Sequence, residues 1–245
     1  MKVPVVLITG AARRLGAATA RMLHQAGYAI ALHCHHSRAA AEVLQQELNA
    51  LRPDSCAVFV ADLCLREDLP DLVEAVVAHF GCLSALVNNA SSFYPTELGV
   101  LTEEAWQDLS GSNLAAPLFL TQAAAPYLRQ AQGSIVNIID IHAERPLKGY
   151  VAYTAAKAGL LGLTRSLALE LAPDVRVNGI GPGAILWPED GQFPDAERAE
   201  ILGRIPLQRL GSPEDIARTV RFLLLDAPYI TGQMIAVDGG RSIVL

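Results

Sequence analysis

The sequence predicts an α/β chain built on one doubly wound, parallel sheet of about seven strands. Seven short apolar runs recur along it: VPVVLI, YAIALH, CAVFVA, SALVNN, GSIVNII, VRVNGI and QMIAVDGG. Amphipathic stretches of helical length separate most of them. The runs are mostly apolar rather than alternating, as strands buried on both faces of a parallel sheet are.

Length and composition bound the organisation. A chain of 245 residues, 51% of them hydrophobic, is expected to form a single domain over 1–245; a chain of that size buries roughly 70–75% of its unfolded surface. No linker, low-complexity tract or solenoid repeat divides it. The net charge of -6, from 19 basic and 25 acidic residues, argues against nucleic acid or an anionic membrane as the main partner. The chain enters a strand by Val3 without a cleavable apolar leader, and no apolar run approaches the roughly 18 residues of a membrane span. A cytoplasmic protein is expected. Cys34, Cys56, Cys64 and Cys82 form no CxxC pair and read as reduced core thiols.

The first strand leads through TGAARRLG, Thr9 to Gly16, into the helical AATARMLHQAG. A strand-to-helix turn of this kind binds phosphate, because the free N–H groups and the dipole at the helix start favour an anion. Gly10 and Gly16 permit a tight turn and close helix packing. The middle position of the usual glycine trio is instead Arg14, a bulky cation. Taken alone, such a turn is equally an ordinary strand-helix connection.

The second strand selects the nucleotide. Domains that bind NAD usually end it with Asp or Glu on the ribose 2′-OH, whereas this one runs LHCHHSR, Leu32 to Arg38. Arg14, His36, Ser37 and Arg38 could surround a 2′-phosphate instead, which favours NADPH over NADH. Metal binding by His33, Cys34, His35 and His36 is disfavoured, because adjacent strand residues point to opposite faces and no distant cluster completes a site.

Tyr153 and Lys157 lie four apart in YVAYTAAKAGLLGLTRSLALELA and share one helix face. The stretch is apolar nearly all round, so a lysine inside it needs a reason. A cation beside the phenol is expected to lower its pKa from about 10 and make it a usable acid and base.

With TGAARRLG, NNAS at Asn88 to Ser91, Asn113, Tyr153-x-x-x-Lys157 and the closing VDGG, the chain resembles short-chain dehydrogenase/reductases over essentially its whole length. The resemblance implies a Rossmann domain that transfers hydride with NADPH/NADP. It implies that Lys157 bonds the nicotinamide ribose, that Asn113 holds a water in the proton relay, that Asp62 lies near the adenine and that Asn89 lines the cofactor site. The cofactor site it implies also includes Gly10, Arg14, Leu15, Gly16, His36, Ser37, Leu63, Ala90, Pro182 and Gly183.

One position departs from that family. Where a catalytic serine is usual, about a dozen residues before the tyrosine, GSIVNIIDIHAERPLKGY offers Asp140. A carboxylate would repel a developing oxyanion yet favour a ring nitrogen gaining a proton, which points to C=N rather than C=O reduction. The plainer alternative is that Asp140 only caps its loop. Pteridine reductases show the same departure. TGAARRLG, LHCHHS, NNASSFYPT and DIHAERPLKGYVAYTAAKAGL all resemble that subgroup. The likeness implies that Phe93 stacks on a pterin, that Ser91 and Tyr153 bond its ring, and that Arg14 reaches both the cofactor pyrophosphate and the pterin edge. His36 and Cys34 stand where the trypanosomatid enzymes have arginine and tyrosine, which bears on the strength of the NADPH preference and not on its sign.

Phe93 follows NNASS directly, which suits a pocket mouth better than the core. Trp187 lies in a Pro- and Gly-rich insertion over 184–209, equally suited to a substrate lid and to a plain surface loop. His142 and Arg145 suggest no role. The helix over 150–171 and LAAPLFLTQAAAPYL are too apolar to pack on one side only, so burial between subunits is expected, and the resemblance implies that the assembly is a homotetramer. The alternatives to a pterin reductase are a carbonyl-reducing enzyme of the same superfamily, acting on an oxoacyl or sugar substrate, and a non-catalytic NADP-sensing protein. Asp140 argues against the first, and the presence of Tyr153, Lys157 and Asn113 against the second.

Overall fold

The computed structural model describes residues 3–187 and 194–245. All seven apolar runs are strands: β1 (Val5–Ile8), β2 (Ala29–Cys34), β3 (Cys56–Val60), β4 (Ala85–Asn88), β5 (Ser134–Ile138), β6 (Arg176–Pro182) and β7 (Met234–Val237). They form a seven-stranded sheet in the order β3-β2-β1-β4-β5-β6-β7, parallel at every pairing. The chain winds outward from β1 in one direction and from β4 in the other, so the order reverses between them. Ligands of such sheets bind at that reversal, beyond the carboxyl ends of the strands.

Alternate strand residues feed two cores, as the period of two requires. Val6 and Ile8 point to the layer containing Leu23, Leu44, Ile216 and Val220, which is built from α1 (Arg14–Gln25), α2 (Arg38–Leu51) and the eighth helix. Val5 and Leu7 point to the layer of Leu72, Val76, Leu120, Leu128 and Ala168, whose helices are α3 (Leu69–Phe80), α5 (Ala116–Gln130) and α6 (Val151–Glu170). Burial on both faces holds for β1, β2, β4 and β5. It does not hold for the edge strands. β3 opens toward Val60, and β7 is half-buried along its length, because each has a neighbour on one side only.

Between β4 and β5 run α4 (Glu103–Ser110), whose N-terminus is capped by the Thr102 hydroxyl, a π-helical turn over Gly111–Ala115, and α5 (Ala116–Gln130). Then come α6 (Val151–Glu170) and α7 (Asp195–Gly203). α8 (Pro213–Arg221) opens on a Ser212–Asp215 capping box, and the short α9 (Arg241–Val244) follows β7. Of the segment over 184–209, residues 188–193 lie outside the described residues. α6 leaves Val151, Ala155, Ala158, Gly162 and Leu169 at the surface of the single chain. Two of the four cysteines are not core thiols: Cys64 is exposed and Cys82 half-buried, and all four are free. Among the described residues no helix is long and apolar enough to cross a membrane.

Candidate active site

The turn after β1 is held by its own backbone and three side chains. Gly10 takes φ +61°, a left-handed conformation that favours glycine. Gly16 has a packing reason, since a Cβ there would stand 2.4 Å from the Gly10 carbonyl oxygen. The Thr9 hydroxyl accepts from the amides of Asn89 and Ala90, each at 2.9 Å. Asn89 Nδ2 returns bonds to the carbonyls of Thr9 (2.8 Å) and Gly10 (3.1 Å). His33 Nδ1 accepts from the Gly10 amide at 3.2 Å, and its Nε2 reaches the Ala61 carbonyl at 3.1 Å. Burial pushes His33 down to about 4, so it is a neutral strut across the ends of three strands. Arg14 itself sits at φ +51°, an uncommon conformation for a residue with a side chain.

A cavity of about 1360 Å³ opens above this turn. Its wall brings together Gly10, Arg14, Leu15, Gly16, His36, Ser37, Asp62, Leu63, Asn89, Ala90, Ser91, Phe93, Asp140, Tyr153, Lys157, Pro182 and Gly183. The hydroxyl of Ser37 does not cap α2. Arg38 is absent from the wall and pairs with Glu42 at 2.8 Å instead, so it does not join the other residues expected around a 2′-phosphate. Asp62 accepts from the Cys64 amide at 2.9 Å, which fixes the corner after β3.

Asp140 and Tyr153 meet at the end of β5. The Tyr153 hydroxyl donates to Asp140 Oδ2 at 2.6 Å, while Asp140 Oδ1 accepts from the His142 amide at 2.8 Å. Loop capping and contact with the tyrosine are therefore both true, one oxygen each. His142, which suggested no role, supplies the amide that orients the carboxylate, and its ring Nδ1 meets the Arg145 carbonyl at 2.7 Å. Lys157 is buried, donates to the Ile138 carbonyl at 2.9 Å, and lies 5.7 Å from the Tyr153 ring centroid.

The expected lowering of the Tyr153 pKa is overturned. Burial and the Asp140 carboxylate push the phenol well above its ordinary value. The nearest charge to the hydroxyl is an anion, and the lysine faces the ring rather than the oxygen. Lys157 itself is pushed down to about 8 by burial, against the pull of Asp140.

Asn113 does not reach the cavity wall. It is fully buried on the π-helical turn, and Nδ2 donates to the carbonyls of Ser92 (2.9 Å) and Leu109 (3.0 Å). With the amide nitrogen so engaged, Oδ1 is the acceptor for the Ser91 hydroxyl at 2.6 Å. Phe93 stacks on Tyr150 at 4.8 Å with an interplanar angle of 13°, and meets the Tyr153 ring edge-on at 4.8 Å. Tyr150, unremarked in sequence, is thus the backing of Phe93. Beneath the site Asn88 Nδ2 donates to Asn137 Oδ1, and Asn137 Nδ2 to the Thr164 hydroxyl, each at 2.8 Å. Polar residues inside otherwise apolar strands were the available signal for this chain.

A second cavity of about 340 Å³ adjoins the first and shares Arg14, Phe93, Asp140, Tyr153, Gly183 and Ile185 with it. Its outer wall includes Trp187, Glu200, Arg204 and Arg241.

A glycine turn at the strand reversal, beside a buried Tyr-Lys pair on one helix, defines a nicotinamide-dependent oxidoreductase of the Rossmann type. A family model described as Enoyl-(Acyl carrier protein) reductase matches residues 10–242, and the chain belongs to the short-chain dehydrogenase/reductase family. It is 41% identical to pteridine reductase 1 of Leishmania tarentolae, over 98% of this chain and 96% of that one. It is also 38% identical to the 3-oxoacyl-[acyl-carrier-protein] reductase FabG of Staphylococcus aureus, over 96% of each chain. The corresponding FabG of Thermotoga maritima is 37% identical over 98% of each.

Proposed function

We propose that the protein is an NADPH-dependent reductase of a C=N bond in a dihydropterin, forming the tetrahydropterin. The observation that carries this reading is the direction of two hydroxyl protons. Tyr153 donates to Asp140 and Ser91 donates to Asn113. Both therefore turn lone pairs toward the cavity, next to a carboxylate. A ketone oxygen needs donors at that place, whereas the edge of an aminated ring supplies them.

The residues fit the cofactor. The glycine turn, with Asn89 and Ala90, would receive the pyrophosphate, and His36 and Ser37 the 2′-phosphate. An ammonium has three donors and Lys157 spends one on Ile138, which leaves two for the nicotinamide ribose. Bound NADPH supplies the hydride. Arg14, on the walls of both cavities, lies where cofactor and substrate meet. Phe93, backed by Tyr150, offers its free face to the ring. Tyr153 donates to Asp140 in the resting site; with a ring bound, the phenol proton passes to the ring nitrogen as the adjacent carbon accepts hydride, the nitrogen ends neutral and the phenolate recovers a proton from water. Asp140 keeps the phenol protonated until then and accepts from N–H donors at the ring edge.

The same reading assigns the protein to the cytoplasm, where its four free cysteines stay reduced, and to a homotetramer that covers the small and apolar residues left exposed on α6. The remaining described part of 184–209, α7 included, serves as the substrate side of the single domain. The test is kcat/KM with NADPH for 7,8-dihydrobiopterin or dihydromonapterin against a 3-oxoacyl thioester and simple ketones. The pterin should win by at least about tenfold, roughly 1.4 kcal/mol in the barrier. A thioester that wins by that margin would instead favour the activity of the FabG relatives.

A further inference from the structure

The two cavities share part of their walls. Arg14, Phe93, Asp140 and Tyr153 line both and, on the reading above, would surround the reacting end of a ligand, whereas a second group of residues lines only the smaller cavity. Arg241 belongs to this second group. It is the first residue of α9, immediately after a turn in which Gly239 and Gly240 have φ +64° and +87°. Asp238 makes no ion pair with it; its carboxylate accepts from the amides of Gly240 (2.9 Å) and Ser242 (2.7 Å).

Two arginines line this outer wall and they differ. Arg204 is exposed and paired, with its guanidinium 2.6 Å from Glu200. Arg241 forms no ion pair among the described residues, and its Nε is buried without a hydrogen-bond partner. Burial also pulls its pKa below the usual arginine value, with Asp140 and Asp238 opposing and Arg204 adding to the fall. Withdrawing an unpaired guanidinium donor from water costs free energy that a partner would return. Glu197 also lines this cavity but lies on an exposed stretch, and Glu200 is committed to Arg204, so neither supplies that partner.

We infer that Arg241 is a specificity-determining residue whose guanidinium binds a carboxylate on the side chain of the substrate. This rests on the pterin reading above, because Ser91, Phe93 and Tyr153 must hold the ring for the side chain to lie along the outer wall. The ligand so described is two-ended, with N–H donors at the edge facing Ser91 and Asp140 and an anionic oxygen group at the far end. A planar guanidinium fork suits a carboxylate better than any neutral acceptor.

The experiment compares two ligands in the NADP-loaded protein by calorimetry, and in turnover with NADPH: 7,8-dihydrofolate, whose tail ends in carboxylates, and 7,8-dihydrobiopterin, whose tail is neutral. Arg241→Met keeps length and apolar contact while removing charge and donors. It should weaken dihydrofolate binding and raise its KM by about tenfold or more, the worth of a charge-assisted bond, with dihydrobiopterin held within about twofold. Arg241→Lys should recover part of the loss. Equal losses for both ligands, or no loss for dihydrofolate, would overturn the inference while leaving the pterin reading in place. An unmutated protein that binds and reduces neither compound would overturn the pterin reading and this inference with it. Thermal melting of each variant separates a folding defect from a binding one, and should an unfolded Met variant result, Arg241→Gln provides the same comparison.

Discussion

The two ends of the large cavity are made of different material. At the β1–β4 end the ligand-facing surface is backbone, held by Thr9, Asn89 and a neutral His33, and its chief requirement is room. At the β5–α6 end it is side chains whose charges act on one another, with Tyr153 pushed up, Lys157 pushed down and Asp140 beside both. The first end is specified by shape and the second by charge. Substitutions should therefore separate into those that change whether a ligand fits and those that change what happens once it does.

The largest effect belongs to the charged end. Tyr153→Phe should lower kcat by about 10²- to 10⁴-fold, the range for loss of a general acid, and leave NADPH affinity nearly intact. Steady-state rates with a dihydropterin, beside fluorescence titration of NADPH, decide it, and comparable turnover would remove Tyr153 from its role. Asp140→Asn should also depress pterin turnover sharply without touching cofactor binding, and Asp140→Ser should not restore it.

Next in size is a fault of shape. Gly16→Ala places a methyl 2.4 Å from a carbonyl oxygen of the backbone, which cannot swing aside as a side-chain tip could. Overpacking of this kind costs about 1–3 kcal/mol, so melting temperature and NADPH affinity should fall together while the pH profile of the residual activity keeps its form. A lower kcat at unchanged affinity would mean that the turn is not a binding surface.

Acidity separates the two ends in another way. Lys157 releases its proton near pH 8 in the folded chain, so kcat/KM, which reports the free enzyme, should fall on an alkaline limb near that value if the cation is required. Because the folded pKa lies below the unfolded one, the cost of burying this cation is present in full below about pH 8 and disappears as pH rises toward 10.5. His33 acts at the opposite end of the scale. Its folded pKa of about 4 lies below the unfolded 6.5, so the unfolded chain binds the extra proton between those values and stability is lost as pH falls through that window. Chemical denaturation at pH 7 and at pH 5 should show the loss, and His33→Gln should flatten it.

Smaller effects sort the cofactor contacts. If Arg14, which lines both cavities, contacts the pyrophosphate that both cofactors share, Arg14→Ala should weaken NADPH and NADH by similar factors. Losses confined to NADPH would move it to the 2′-phosphate. Arg38→Ala should leave the preference between the two cofactors within about twofold, since that side chain is spent on an exposed pair with Glu42.

The fold was legible because its signals are local. Each strand announces itself as a mostly apolar run, four to seven residues long in the structure, and the helix over Val151–Glu170 by its length and composition. The glycine turn, Tyr153 and Lys157 were equally readable, since their spacing alone puts them on a shared turn or helix face. What escaped depends on direction or on partners far along the chain. Nothing in the spacing of Tyr153 and Lys157 tells that the ammonium turns to the Ile138 carbonyl and faces the ring. The burial of Asn113 depends on a π-helical turn that its sequence does not advertise. Tyr150 and Arg241 acquire meaning only from the residues they approach, one beneath Phe93 and the other beyond Asp140.

The π-helical turn at Gly111–Ala115 gives the segment between β4 and β5 a particular sensitivity to length. An α-helix advances about 100° per residue, and a π turn accommodates one residue more than the α repeat would. Removal of a single residue there would let α4 and α5 merge into one continuous helix. The apolar face of α5 could stay on the sheet, but everything before it would turn by about 100°, carrying the Asn113 position out of phase with Ser91. The amide that orients the Ser91 hydroxyl is thus set by the count of residues as much as by their kind, and a one-residue deletion would erase it where many side-chain replacements nearby would not.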